Sequence, residues 1–550
     1  FPHWYLVNVA VARLGLGIVA CCRDFRVGGW ISWMPLVVAH CERFWSTARK
    51  RPRKSCLFSS MTPTARPPAI AYAEFDKSVN RTARMLQTLG IGSGDKVNLH
   101  LSNCIEFLLL WFAAAKIGAI IMPTNVAATA DELEYLIDHS ECRMIFTQSG
   151  YLDVAQEVRG RCARVEAIVI CGDSGDAQAR SFDEFVSSQS DKRPETRCDA
   201  GDEVGILYTS GTTSRPKGVL VTNANYIYAG ETVAKALCLT PEDRHLVVMP
   251  LFHGNAQYYS TMSTLVTGAS MVLSSRFSAS RYFDQAIRHS CTVSSLFSAP
   301  MRMLLAQPRR NELSENRLRA VLFAQCVTEN QLDEWHERFD APLLQLWGMT
   351  ETMGPPLVNP IHFRRNNMSM GLPVMGYRVR LVDEQGNPVP RGETGQIVVA
   401  GEPGRTLMKG YFKNREATEG TIRAGWLWSG DNARQDGDGY FHFVDRAKDM
   451  IKRAGENVAA SEVEAVILTH PKVFDCAVIG APDPIRDELI VAVVVTVEGE
   501  SLESDAVIDW CRGRLASFRV PERVEFRREL PRTSVGKIQK HLLRAYTKSH

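Results

Sequence analysis

Between Tyr208 and Val219 the chain places hydroxyl side chains at Thr209, Ser210, Thr212 and Thr213 among Gly211, Arg215, Pro216, Lys217 and Gly218. Hydroxyls and backbone N–H groups donate to phosphate oxygens, glycine lets the backbone approach a ligand closely, and lysine adds a point charge. The order is not that of a Walker A loop, because Lys217 precedes Gly218 and no serine or threonine follows it. The competing reading is a flexible polar surface loop. Its setting weighs against that: Glu203 to Tyr208 reads as a buried strand, and a helix is expected from Thr222 onward.

This stretch resembles the phosphate loop of the AMP-forming adenylating enzymes, which include acyl-CoA synthetases, luciferases and the adenylation domains of peptide synthetases. The likeness runs from about Cys41 to about Leu543. The runs Met450 to Val458 and Asp483 to Glu488 make it most similar to the crotonobetaine/carnitine-CoA ligase group. The resemblance implies ATP, Mg2+ and coenzyme A as the small molecules handled, together with a carboxylate. It also implies roles residue by residue. Thr209, Ser210, Gly211, Thr212, Thr213 and Lys217 would hold the triphosphate. In Leu346 to Glu351, Gly348 would lie against the nucleotide, Thr350 would contact the α-phosphate and Glu351 would hold Mg2+, a hard cation suited to carboxylate oxygen. Trp347 stands where the family has tyrosine, keeping an aromatic face for adenine and losing a hydroxyl. Asp431, in Trp428 to Asp431, would accept hydrogen bonds from both ribose hydroxyls, and Arg446 would touch the nucleotide.

The same likeness makes Lys537, in Pro531 to Lys537, the catalytic lysine that bridges carboxylate and α-phosphate oxygens, and Lys448 the pivot of a rotating small domain. Gly455 and Glu456 match the loop that lines the channel for the pantetheine arm of CoA. His253 matches a gate of the acyl pocket, although a histidine beside apolar residues is as often a core residue. Further pocket walls are expected from Asn255, Ala299, Met301, Met349, Met353 and Gly354. Ala324 and Gln325 sit where many members carry a Gly-Gly-Ala adenine shelf, a departure from the pattern. The implied reaction is ligation of a carboxylic acid to CoA through acyl-AMP, with a crotonobetaine- or carnitine-like acid first, a medium- or long-chain fatty acid next, and adenylation without CoA as the third reading.

Positioning these residues takes more than one domain. A chain of 550 residues exceeds a single compact core. Hydrophobic content of 45% with 23% charged residues describes an ordinary soluble globular protein, and a net charge of +3 gives no argument for nucleic acid. The 14 cysteines are scattered without a Cys-x-x-Cys pair and read as reduced thiols of a cytoplasmic protein. Strand- and helix-like runs alternate from Tyr72 to Trp347, with Phe75, Val79, Ala83 and Leu86 on one helical face and a capping box at Thr129 and Glu132. Gly172 to Ala200 reads as a polar loop, Gln257 to Leu265 as a helix, and the region from Tyr377 as short β runs. Near Asp445 a new unit begins: strand, loop, helix, two strands, helix, tail.

The expected fold is therefore α/β. A large N-terminal domain of parallel sheets with helices and a small β-rich subdomain (41–445) precedes a small mobile α+β C-terminal domain (446–550). Residues 1–40 form an extension of uncertain role. Its apolar runs fall short of the roughly 20 residues of a membrane span, which leaves peripheral membrane contact open. The basic run Arg49 to Lys54 is a solvated loop before it is an anion site.

Overall fold

The structure, a computed structural model, describes residues 56–60, 69–172, 180–209, 215–325, 327–446, 449–453, 456–483, 487–532 and 538–547. The expectations for residues 1–40 and for the basic run at 49–54 lie outside it. Among the described residues no helix is long and apolar enough to cross a membrane.

Two large sheets carry the N-terminal part. In the eight-stranded sheet, Glu203–Thr209, Ile120–Pro123, Lys96–His100, Cys142–Thr147, Ala167–Ile170 and Arg180–Ser181 run parallel, with Lys217–Thr222 and Gly410–Tyr411 added antiparallel at one edge. In the nine-stranded sheet, Leu343–Met349, Ala320–Ala324, Val293–Phe297, Arg244–Val247, Ser270–Leu273 and Cys56–Ser60 are parallel, and the antiparallel strands lie at the edges. Parallel strands covered on both faces read as apolar runs, and Val293–Phe297 is buried throughout.

The helix Tyr72–Thr88 buries Phe75, Val79, Ala83 and Leu86, the face its spacing predicts. The helix Ile105–Ile117 is apolar nearly all round, and its one lysine is matched: Lys116 Nζ lies 2.5 Å from Asp76 and 2.7 Å from Asn80. Thr129 and Glu132 form the expected capping box of the helix Ala130–Ser140.

Arg378–Val382, Thr394–Ala400, Ile422–Arg423, Trp426–Gln435 and Phe441–Arg446 make the β-rich subdomain, an antiparallel sheet. The C-terminal part has its own sheet of Met450–Arg453, Glu456–Ala459, Val473–Asp483, Asp487–Thr496 and Arg523–Phe526. Both faces of that sheet are apolar. Val478 and Ile490 pack with Val463 and Val507 on one side, whereas Ile479 and Val491 pack with Leu543 on the other. The protein is thus α/β, with a large parallel-sheet N-terminal domain and a smaller C-terminal domain.

Three local expectations are corrected. The segment after Gly172 is not all loop: Arg180–Ser181 extends the eight-stranded sheet and Phe182–Ser187 is helical, anchored by the buried Phe182. The helix expected at Gln257 is a π-helix over Asn255–Met262. The segment after Val497, expected to be one helix and a tail, adds the strand Arg523–Phe526 and the helix Lys540–Thr547 beyond Ser504–Arg512.

Candidate active site

The strand and the helix expected around the stretch rich in hydroxyls are present as Glu203–Thr209 and Asn223–Ala236, with a further strand between the stretch and the helix. Lys217–Thr222 is itself a strand, paired antiparallel with Glu203–Thr209 so that Thr209 faces Lys217 and Tyr208 faces Gly218. The helix Asn223–Ala236 begins only afterwards, and Thr222 and Asn225 cap its N-terminus reciprocally. That N-terminus is therefore occupied by its own capping box. Ser210, Gly211, Thr212 and Thr213 lie outside the described residues.

Both flanks of the hairpin loop are braced by the helix Ala130–Ser140. Tyr135 donates its hydroxyl to the Pro216 carbonyl at 3.1 Å, and the Arg215 guanidinium lies 5.1 Å from the Tyr135 ring centroid. Tyr208 Oη lies 2.7 Å from His139 Nδ1. Burial pushes the Tyr208 phenol up, while burial and then Lys413 hold His139 below its ordinary value.

Lys217 Nζ stands 5.0 Å from the ring centroid of Tyr411. The hydroxyl of Tyr411 donates to Glu351 Oε1 at 2.9 Å. Burial first, and then the neighbouring Glu351 carboxylate, push the Tyr411 phenol up, which keeps it a donor. Glu351 is only 5% exposed, and its carbonyl accepts the Met408 N–H at 2.9 Å. Thr350, half-buried, opens the 3-10 turn Thr350–Thr352 that ends the strand Leu343–Met349. The turn is closed by Met349 N–H donating to Thr352 Oγ1 and by Tyr377 Oη donating to the Thr352 carbonyl. Gly348 has a packing reason beside any nucleotide contact: a Cβ there would lie 2.7 Å from the Gly354 carbonyl oxygen and 2.8 Å from Tyr259 Oη. Gly354 itself has φ +141 and would direct a Cβ to 2.6 Å from Tyr377 Oη.

Trp347 is buried, and its indole N–H donates to Asp431 Oδ2 at 2.9 Å. Asp431 Oδ1 faces Arg446 Nε at 3.4 Å, and the two residues are register partners on adjacent strands. The Asp431 N–H donates to Ser429 Oγ, whose hydroxyl donates to the Ile397 carbonyl at 2.7 Å. Ser429-Gly430-Asp431, an irregularity within the strand Trp426–Gln435, is thus held by Trp347, by Arg446 and by the Ile397 carbonyl.

The acyl-pocket candidates stand at or follow, in the chain, the carboxyl ends of the parallel strands Arg244–Val247, Val293–Phe297 and Leu343–Met349, the end at which open α/β sheets bind ligands. His253 packs its ring edge-on to Phe297, with centroids 5.6 Å apart, and its Nδ1 accepts the Asn255 N–H. Asn255 opens the π-helix and donates to Ser295 Oγ at 2.9 Å, while its Oδ1 is buried with no hydrogen-bond partner among the described residues. Ala299 and Met301 lie on the buried side of the helix Ser298–Leu305. Met353 is fully buried, Gly354 is buried and Met349 half-buried. Gln325, with φ +81, accepts the Ser298 hydroxyl at Oε1.

In the C-terminal part, Lys448, Gly455, the Glu456 side chain and Lys537 lie outside the described residues. The base of the segment that carries Lys537 is described. Arg532 and Ile538 form a bridge, and Gln539 N–H donates to the Pro531 carbonyl at 2.8 Å. Arg532 pairs with Asp475, which also lies 3.8 Å from Arg302 of the large domain. Lys540 Nζ holds Glu464 at 2.7 Å, and Arg544 holds Asp449 at 2.8 Å. Sequence reasoning overlooked Tyr411, Tyr135 and His139. Their partners are distant in the chain, and only the apposition of Gly410–Tyr411 with Lys217–Thr222 brings Tyr411 to the site.

The chain belongs to the AMP-binding enzyme family and is an AMP-forming acid–thiol ligase: the AMP-binding enzyme model matches residues 44–412 and the AMP-binding enzyme C-terminal domain matches residues 462–537. Among its relatives is the crotonobetaine/carnitine–CoA ligase of Proteus mirabilis (strain HI4320), 38% identical over 480 residues that cover 86% of this chain and 92% of that protein. Among solved structures, ATP-bound MatB from Rhodopseudomonas palustris superposes with a TM-score of 0.83 at 27% identity, covering 92% of this chain and 98% of the other. The anthranilate CoA ligase AuaEII in complex with anthranoyl-AMP matches with a TM-score of 0.83 at 25% identity, covering 92% and 96% of the two chains.

Proposed function

We propose that the chain joins a small carboxylate of the crotonobetaine or carnitine type to CoA through acyl-AMP, consuming ATP. One observation carries the reaction: the strand end Trp347 to Glu351 meets the ribose-side carboxylate Asp431 through Trp347 and the phosphate-side lysine through Glu351 and Tyr411. Asp431 would accept the ribose hydroxyls, Arg446 would lie along the nucleotide, and Thr350, Lys217 and the loop hydroxyls at Thr209, Ser210, Thr212 and Thr213 would face the phosphates.

Glu351 suits Mg2+. Its carboxylate is buried, and no cluster of three or more histidine, cysteine or acidic groups able to hold a metal exists among the described residues. The protein would supply that one oxygen ligand group, leaving the rest of the shell to phosphates and water, as Mg2+ prefers. When bound, the ion neutralises phosphate charge.

The substrate carboxylate attacks the α-phosphorus, the bond to the bridging oxygen breaks and pyrophosphate leaves. Lys217 would balance charge on the phosphates, and Lys537 would hold the attacking and α-phosphate oxygens together. The CoA thiolate then attacks the acyl carbon and AMP departs. For this second step the C-terminal domain (446–550) would turn about Lys448, and Gly455 and Glu456 would line the CoA channel.

The substrate reading rests on the 38% identity to a crotonobetaine/carnitine–CoA ligase. A fatty acid is the second reading, favoured by the apolar Ala299, Met301, Met349 and Met353 and by the lack of an acidic residue among the pocket candidates. Pyrophosphate release with ATP and Mg2+ over crotonobetaine, carnitine, short acids and long-chain fatty acids, with and without CoA, tests both. Thioester formation with crotonobetaine or carnitine is expected. A thioester from fatty acids alone would replace the substrate reading, and pyrophosphate without thioester would make the chain an adenylating enzyme that does not use CoA.

A further inference from the structure

The departure at position 347 exchanges a phenol for an indole, and the indole has a defined partner. Trp347 Nε1 donates to Asp431 Oδ2 across 84 positions of sequence, from the nine-stranded sheet to the β-rich subdomain. Trp347 is 7% exposed and Asp431 8%, so little water competes for this bond. The strand that carries Trp347 is paired on both sides, with Ala320–Ala324 and with Gly354–Val358, which fixes where the N–H points.

We infer that Trp347 is the positioning residue for the ribose-binding carboxylate, acting through its indole N–H. The inference rests on the reading of Asp431 as the ribose contact. An ionised carboxylate has about four lone-pair sites. Trp347 takes one on Oδ2 and Arg446 faces Oδ1, which leaves one further site on each oxygen, the arrangement that a vicinal diol needs. Arg446 alone would not fix this geometry: its side chain is 37% exposed, and its Nε stands 3.4 Å from Oδ1. A neutral, buried donor orients the carboxylate without neutralising it. Because Trp347 and Glu351 sit on the same strand end, the ribose contact is registered against the phosphate contacts by four residues of backbone.

The test compares equilibrium binding of ATP and 2′,3′-dideoxyATP, which lacks both hydroxyls, without carboxylate or CoA. The chains compared are the native protein, Trp347→Phe, a variant with 3-benzothienylalanine at 347, and Asp431→Ala. Benzothienylalanine keeps the shape of the ring and puts sulfur in place of the N–H, so it serves if the phenylalanine variant folds poorly. The native preference for ATP is expected to fall about 10-fold in both Trp347 variants, the low end for a hydrogen bond to a charged group. It should vanish in Asp431→Ala. A native preference in both Trp347 variants, including equal weakening of the two nucleotides, together with its loss in Asp431→Ala, overturns the inference and leaves the ribose reading standing. A native preference in Asp431→Ala overturns the ribose reading and the inference with it.

Discussion

Tyr411→Phe is the sharpest probe of the Lys217 and Glu351 side of the site. The substitution deletes one oxygen, the donor 2.9 Å from Glu351 Oε1, and leaves the ring beneath Lys217. A hydrogen bond to a charged group contributes about 1.5–3 kcal/mol, and Glu351, only 5% exposed, has little water to replace the donor. If that loss is expressed in adenylation, ATP–pyrophosphate exchange falls roughly 10- to 150-fold, with a higher half-saturating Mg2+ concentration. Tyr411→Leu removes the ring too, and with it a cation–π contact of about 0.5–2 kcal/mol, so exchange should drop a further 2- to 30-fold. The raised phenol makes the Tyr411→Phe defect independent of pH across the neutral range. Exchange within twofold of native in Tyr411→Phe, alongside an inactive Glu351→Gln, would refute the claim that Tyr411 holds the carboxylate.

Lys537→Ala should leave ATP binding near native in equilibrium dialysis and abolish pyrophosphate exchange; retained exchange would remove that lysine from the first step. Lys116→Met strands part of the charge on buried Asp76 and should cost about 3 kcal/mol of stability by urea titration of the large domain. Acid should destabilise the fold through two buried histidines. Burial lowers His100 to about 4, and burial, opposed by Asp243, lowers His245 to about 3, from an ordinary 6.5. The unfolded chain therefore binds more protons below pH 6.5, so stability is complete above that value and declines towards pH 4, by about 3 kcal/mol per histidine. Both ring nitrogens of His245 lack a hydrogen-bond partner among the described residues, so His245→Leu should flatten the acid limb of a plot of thermal midpoint against pH.

The α/β alternation was legible because period and punctuation agree. Phe75, Val79, Ala83 and Leu86 share a helical face, Thr129 and Glu132 cap, and apolar runs such as Val293–Phe297 fit strands covered on both sides. Lys217–Thr222 was hidden by its charged first residue and glycine, although Val219 and Val221 alternate inward as in any half-buried strand. Phe182–Ser187 is too short for a period to declare itself, and a π-helix has the composition of an α-helix. In the site, residue types were legible and partners were not. Tyr411 meets a glutamate 60 positions away, and Trp347 an aspartate 84 positions away. Such pairs are created by the stacking of whole elements, which leaves no local pattern. The adenine face expected of Trp347 was implied by the motif's resemblance to the family's, whereas its N–H partner depended on where another sheet ran.

The hairpin at Lys217 bears on how freely this protein can be altered. Lys217 heads a strand held between two neighbours, Glu203–Thr209 and Gly410–Tyr411, so sheet register determines where its ammonium sits. In a loop that feeds straight into a helix, a change of length would swing the helix axis and everything packed on it. Here sheet register, not the length of the turn, sets where Lys217 begins, so a substitution or insertion at 210–214 is expected to leave the lysine and the Tyr411 ring, 5.0 Å from its ammonium, in place.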